Sequence, residues 1–344
     1  MKIYYTMKYK YLLIAFITLT IFTYGCFKDN PIETISDMGD SEELLVYFET
    51  HGDFINSTKA PAFVTAANVN SNLSKYYIID IRESSDFSKG HVEGAKNVLM
   101  KDLLAHIKSI DTSKFEKIVL VSATGQSAAY SASLLRLGGY EKVYSMQWGM
   151  SAWHLDFSSK WYNSIRNAKF VGRFDFYSTP KPNFSSMPKL ATGKVQTLDK
   201  IESRINILLN EGFSKALVDI DTVMKDYDKT KEIIDYFVVC YAPARLYNIR
   251  DNGHPPGTVR YEQRIDLKSS TYLQTLPPNK KIAVYDDNGE IAAYLVAYLR
   301  MLGYDAKSIY LGAMGMFGND QLLSTRIIRL KSSDIMNYTY VTGG

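Results

Sequence analysis

The stretch KIVLVSATGQSAAYSASLLRLGGY, Lys117 to Tyr140, decides the fold. It opens on a continuous apolar run, the pattern of a strand buried on both faces. A loop of small, mostly polar residues follows, Ser122 to Ser127, and then a predicted helix that stops at Gly138-Gly139. Within that helix Tyr130, Leu134 and Leu137 share one face. A strand, a short loop and a helix in this order aim backbone N–H groups and a helix N-terminus at one point. Such an anion cradle commonly holds a reactive cysteine, but the first loop position here is Ser122.

The same plan recurs further along the chain. GHVEGAKNV (Gly90 to Val98) matches GHPPGTVRY (Gly253 to Tyr261), and KIVLVSATG matches KIAVYDDNG, with Gly125 meeting Gly289. LRLGGY matches LRMLGY, and VYSMQWGM meets IYLGAMGM at an offset of 166. Four matches in one order indicate a duplication. In the first copy YYIIDI (Tyr76 to Ile81) reads as a buried strand, LMKDLLAHI as a helix and VYSM as the closing strand. Alternation of this kind implies an α/β fold, a parallel sheet with helices on both faces.

The expected boundaries follow from composition. Residues 59–160 and 193–344 form two domains, the second degenerate, and 161–192 is a linker around the Pro- and Ser-rich RFDFYSTPKPNFSSMPKLATG. TLDKIESRINILLNEG reads as a helix opening the second domain, with Ile201, Ile205 and Leu208 on one face. Residues 26–58 make a tether and a short helix, for which Asp40 and Glu43 offer a capping box.

Residues 1–25 carry Lys2, Lys8 and Lys10, no acid, and an apolar run from Leu12 to Tyr24. Thirteen residues span roughly 20 Å as a helix, short of a bilayer core of about 30 Å. A basic start, a short apolar run and TYGC resemble a bacterial lipoprotein signal in which Cys26 is lipidated, although Thr23 departs from the usual leucine. Plain cleavage and an uncleaved anchor remain alternatives. The expected location is the bacterial cell envelope, in the outer membrane, on the cell surface or in the periplasm, with the lipid anchor on Cys26 as the contact with the membrane.

Beyond this leader the chain has 37 basic against 36 acidic residues, a balance that gives no support to nucleic-acid binding, which needs a concentrated basic face. Its two cysteines are Cys26 and Cys240. Cys240 ends the apolar strand YFVVC and reads as a small buried hydrophobe, with a displaced redox thiol as the alternative. His51, His106 and His154 share no ligand spacing, so no metal site is legible and no cofactor is expected. His91 and His254 read as structural, and Asp80, Arg82 and Asp86 as a network at a strand end.

DIRESSDFSKGHVEGAKNV and GGYEKVYSMQWGMSAW resemble the rhodanese-like family over roughly residues 60 to 155. The second copy, about 195 to 318, resembles it more distantly through GHPPGTV and LGYDAKSIYLGAMGMFG. The resemblance implies two domains, each a mainly parallel five-stranded sheet. It also implies a loop cysteine whose thiol is acidified by the cradle and carries sulfur as a persulfide. Ser122 and Asp286 occupy the two nucleophile positions, so no catalytic residue is carried over. A serine hydroxyl cannot hold sulfur and has no base beside it here. Ser122 either satisfies neighbouring N–H groups or leaves a cradle, Ser122, Ala123, Thr124, Gly125, Gln126 and Ser127, that still binds a small anion. Asp286 is expected to satisfy its own loop and, with Asp287, to repel anions. The expected function is binding or scaffolding without catalysis, with a small sulfur anion or an envelope protein as partner. The alternative is a thiosulfate or persulfide sulfurtransferase with a non-standard nucleophile.

Overall fold

The computed structural model describes residues 38–165, 171–248, 253–317 and 327–344. Cys26 and the proposed leader lie outside them. Gly39–Gly344 forms one compact unit, built on two five-stranded parallel sheets with helices on both faces. The first sheet takes β1 (Phe63–Val64), β2 (Tyr76–Asp80), β3 (Lys96–Asn97), β4 (Lys117–Val121) and β5 (Val143–Met146) in the order β1-β5-β4-β2-β3. The second takes β6 (Leu217–Val218), β7 (Tyr236–Tyr241), β8 (Val259–Tyr261), β9 (Lys281–Tyr285) and β10 (Ala306–Ile309) in the order β6-β10-β9-β7-β8. The two orders are the same. Registers correspond as well: Asp80 lies beside Val121 in one sheet and Cys240 beside Tyr285 in the other.

Strand periodicity sorts the core into layers. Ile118 and Leu120 of β4, with Ile282 and Val284 of β9, turn to a shared central core. Val119 and Val121, with Ala283 and Tyr285, turn outward to a second cluster. Four longer helices meet in the central core: α1 (Asp40–Thr50), α2 (Gln126–Leu137), α3 (Thr197–Glu211) and α4 (Glu290–Met301). The pairing of α2 with α4 is the most extensive contact between described elements. α2 is enclosed nearly all round: Ser127 is its one residue that is not buried, and its polar Gln126, Ser131, Ser133 and Arg136 are buried along with the apolar ones.

Several local readings change. LMKDLLAHI begins as a 3-10 turn, Met100–Asp102, before its helix Leu103–Ser109. The N-cap of α1 is Gly39, with no side-chain cap. Asp40 instead accepts from the Thr192 N–H and hydroxyl, both at 2.6 Å, and Lys200 bridges Asp40 and Glu43 at 2.8 and 2.5 Å. The acidic pair therefore joins α1 to α3 rather than closing a helix end.

The duplication also shifts register after its last helix. Gly149 packs its Cα against the Ser122 carbonyl, and Gly312 does the same against the Asp286 carbonyl. Trp148 thus corresponds to Leu311, three residues out of step with the match of VYSMQWGM to IYLGAMGM. Residues 336–341 lie on the first half: Met336 and Tyr338 donate to the Ala152 and Trp153 carbonyls, and Val341 bridges to His91.

Candidate anion-binding site

The loop after β4 sits at the C-terminal edge of its sheet, where parallel α/β sheets place their sites. Gly125, at φ +89°, turns the chain into α2. Two flanking contacts fix the loop: Met150 N–H donates to the Ser122 carbonyl at 2.8 Å, and the Ser151 hydroxyl to the Ala123 carbonyl at 2.8 Å. Gly149 makes the first possible. At φ +57°, a Cβ there would lie 2.0 Å from the Ser122 oxygen.

Ser122 is 2% exposed, and its Oγ accepts from Gly125 N–H at 3.1 Å and Ala128 N–H at 3.4 Å. The N–H groups of Ala123, Thr124, Gln126 and Ser127 have no acceptor among the described residues. Beside the loop lies a cavity of about 320 Å³, lined by Ala123 and Tyr340 together with the cations Arg82, Lys89 and Lys160 and the acids Asp86 and Asp156. Arg82 is anchored by Asp80 at 2.6 Å and by the Gly90 carbonyl at 2.7 Å. Asp86 stands outside that network and pairs instead with Lys160 at 2.5 Å and Lys89 at 3.3 Å, which holds its carboxyl below the usual range.

The matching loop of the second half is filled from within. Asp286 accepts from Gly289 N–H at 2.7 Å and from Ile291 and Ala292 N–H, both at 3.3 Å. Asn288 Oδ1 takes the Glu290 N–H at 3.0 Å. Burial, reinforced by the neighbouring Asp287, pushes the Asp286 carboxyl up to about 7 against the pull of these donors. Asp287 itself is gripped by Arg245 at 2.8 and 2.6 Å and accepts from Ile328 N–H at 3.1 Å. Its charge is therefore compensated, which modifies the simple picture of two repelling carboxylates.

One loop residue plays a part that sequence reasoning missed. Gln126 points across to the second half, where its Oε1 accepts from Leu311 N–H at 3.1 Å and its Nε2 donates to the Gly289 carbonyl at 3.2 Å. Glu290, the corresponding residue of α4, reaches back and accepts from Trp148 N–H at 2.7 Å. Trp148 and Leu311, the paired donors, both adopt positive φ, 63° and 52°. The exchange joins the two loops across the α2–α4 contact. Glu290 is 0% exposed, and burial, followed by the charge of Asp286, raises its carboxyl well above the ordinary value. The signal for it was present, since Glu290 follows Gly289 as Gln126 follows Gly125.

His91 stacks on Phe87 at 3.5 Å between centroids, with Nδ1 at the Phe87 carbonyl. His254 sits between the Tyr247 and Tyr177 carbonyls, and burial lowers its pKa. Cys240 is 0% exposed, and burial pushes its thiol up to about 12. No described helix is long and apolar enough to cross a membrane.

A family model described as a rhodanese-like domain matches residues 65–156. Thiosulfate sulfurtransferase GlpE of Shewanella oneidensis is 36% identical over 77 residues, which cover 22% of this chain and 74% of that protein. The protein of the same name from Pseudoalteromonas translucida is 35% identical over 86 residues, covering 24% of this chain and 77% of its own length. Among solved structures, a rhodanese-related protein from Thermoplasma volcanium aligns at 21% identity and a TM-score of 0.24, over 26% of this chain and 86% of its own. The matched span contains the strand, the Ser122 loop, α2 and the Gly149 turn, and by that span this chain belongs to the rhodanese-like family.

Proposed function

We propose that this chain binds a small oxyanion at the Ser122 loop without turning it over. One observation carries the reading: four N–H groups of that loop, at Ala123, Thr124, Gln126 and Ser127, have no acceptor among the described residues, and Ala123 lines a cavity that holds Arg82, Lys89 and Lys160 beside Asp86 and Asp156. Backbone donors at a helix N-terminus hold an anion whether or not a thiol stands among them. The relatives named for thiosulfate point to a sulfur oxyanion as the ligand class. Ser122 removes the atom that would carry transferred sulfur, and Asp286 removes it from the second half, read here as a second, degenerate copy of the same domain. The protein is thus a binding or scaffold module, tethered to the bacterial envelope through a lipid on Cys26.

Calorimetric titration with thiosulfate, sulfate and phosphate tests this. Heat from at least one anion is expected in the wild type and none in Ser122→Asp, which copies the self-filled second loop. No heat from any of the three removes the proposal. The relatives' activity favours a second reading, a sulfurtransferase using Cys240. That thiol is enclosed and its pKa is near 12, so a thiolate is scarce at neutral pH. Thiocyanate formation from thiosulfate and cyanide, lost in Cys240→Ala, would establish the second reading and end the first.

A further inference from the structure

A larger cavity, about 920 Å³, opens between the halves, and none of its described lining residues belongs to the Ser122 loop. Its volume falls in the range of small-molecule sites, roughly 300–1,000 Å³. The first half supplies an apolar wall of Ala66, Trp148 and Ala152. Facing it are Arg245 and the segment from Ile327 to Met336, which adds Ile327 and Met336 to the apolar lining and Arg329 and Lys331 to its charge.

The cations of this cavity are unequally engaged. Arg245 holds Asp287. Arg329 makes no ion pair among the described residues, and its Nε is shut off from solvent with no acceptor. Lys331 also makes no ion pair among the described residues; Asp334, the acid among the described lining residues, accepts from the Lys331 N–H at 2.8 Å. An anionic group in the cavity would pair with the part-buried Arg329 and the exposed Lys331. An inorganic anion is a poor occupant. It would leave the apolar walls unfilled, and the amides of the adjoining second loop are already taken by Asp286.

We infer that this interdomain cavity binds a small organic anion with a flat apolar body, which lies against Trp148, Ile327 and Met336 while its anionic group meets Arg329 and Lys331. The site is separate from the Ser122 loop and stands or falls independently of it.

Anilinonaphthalene sulfonate, a flat body with one sulfonate, is the probe, titrated into the full chain. Saturable fluorescence enhancement at one site is expected, with energy transfer from tryptophan, because Trp148 forms the wall. Arg329→Ala should weaken binding about tenfold or more. Ile328→Glu places a negative charge at the rim on a residue that is 52% exposed, so it tests the same site with little risk to folding. It should weaken binding similarly, while Ser122→Asp should leave it unchanged. Enhancement that never saturates, or that neither charge variant alters, would overturn the inference. Equal displacement by inorganic sulfate and by unlabelled naphthalene sulfonate would overturn it too, by showing that the cavity reads charge without an apolar body.

Discussion

Replacing Glu290 by glutamine should make the protein less sensitive to pH and more stable at neutrality. The side chain is fully enclosed, accepts the Trp148 N–H at 2.7 Å and holds its proton to well above the ordinary glutamate value of 4.5. A group that binds its proton more tightly when folded stabilises the fold at low pH. That contribution falls as pH rises above the unfolded value, by about 1.4 kcal/mol per pH unit for each such group. Asp286, pushed up to about 7, contributes a second slope of the same sign over its own window. Wild-type stability should therefore fall as pH rises above the ordinary carboxylate range, and Glu290→Gln should make that fall shallower by removing one of the two contributions. At neutral pH the variant should be the more stable protein, because it carries no proton to lose. An amide has a working precedent in this site, since Gln126 makes the corresponding exchange with Leu311 and Gly289. Urea denaturation of both proteins at half-unit pH steps measures the two slopes, and the exposed carboxylates cancel in the comparison. Parallel curves would refute the reasoning by showing that Glu290 is not protonated in the folded state.

Three other outcomes are expected. Ser122→Cys should place a thiol among the loop amides and lower its pKa, so that it reacts with iodoacetamide at pH 7 faster than a cysteine in the urea-unfolded chain; an equal or slower rate would mean that the cradle is not intact. Gly149→Ala should destabilise by about 3 kcal/mol in chemical denaturation, since its Cβ would lie 2.0 Å from the Ser122 oxygen at φ +57°. Removing residues 337–344 deletes the Tyr338, Trp153 and Val341 hydrogen bonds and the Tyr340 cover over Phe157. That truncation should cost about 2–3 kcal/mol and speed proteolysis near Phe157, whereas unchanged melting and cleavage would show that the segment is not a fastener.

Much of the fold was legible because buried parallel strands write continuous apolar runs. YYIID, KIVLV and YFVVC each became a strand with both faces covered. The strand–loop–helix around Ser122 was equally clear, because the loop is short and glycine marks its turn. What stayed hidden depends on distant partners. Nothing in GDSEELL tells that Asp40 and Glu43 meet Lys200 and Thr192, more than 150 positions away. The register of the second copy after its last helix was misread because MGM resembles WGM by letter, while packing of a side-chain-free Cα against a loop carbonyl selects Gly312. Gln126 looked like a loop residue facing a ligand. Its amide instead crosses to the other half, a role that only the α2–α4 contact defines.

The most direct test of the central claim is intact-protein mass spectrometry after incubation with thiosulfate and then with a small-molecule persulfide. With Ser122 and Asp286 at the two loop mouths and Cys240 enclosed, the mass should be unchanged in wild type, and Ser122→Cys should gain the mass of one sulfur atom. A wild-type protein that gains that mass on a side chain, and loses it again to cyanide, would contradict the account.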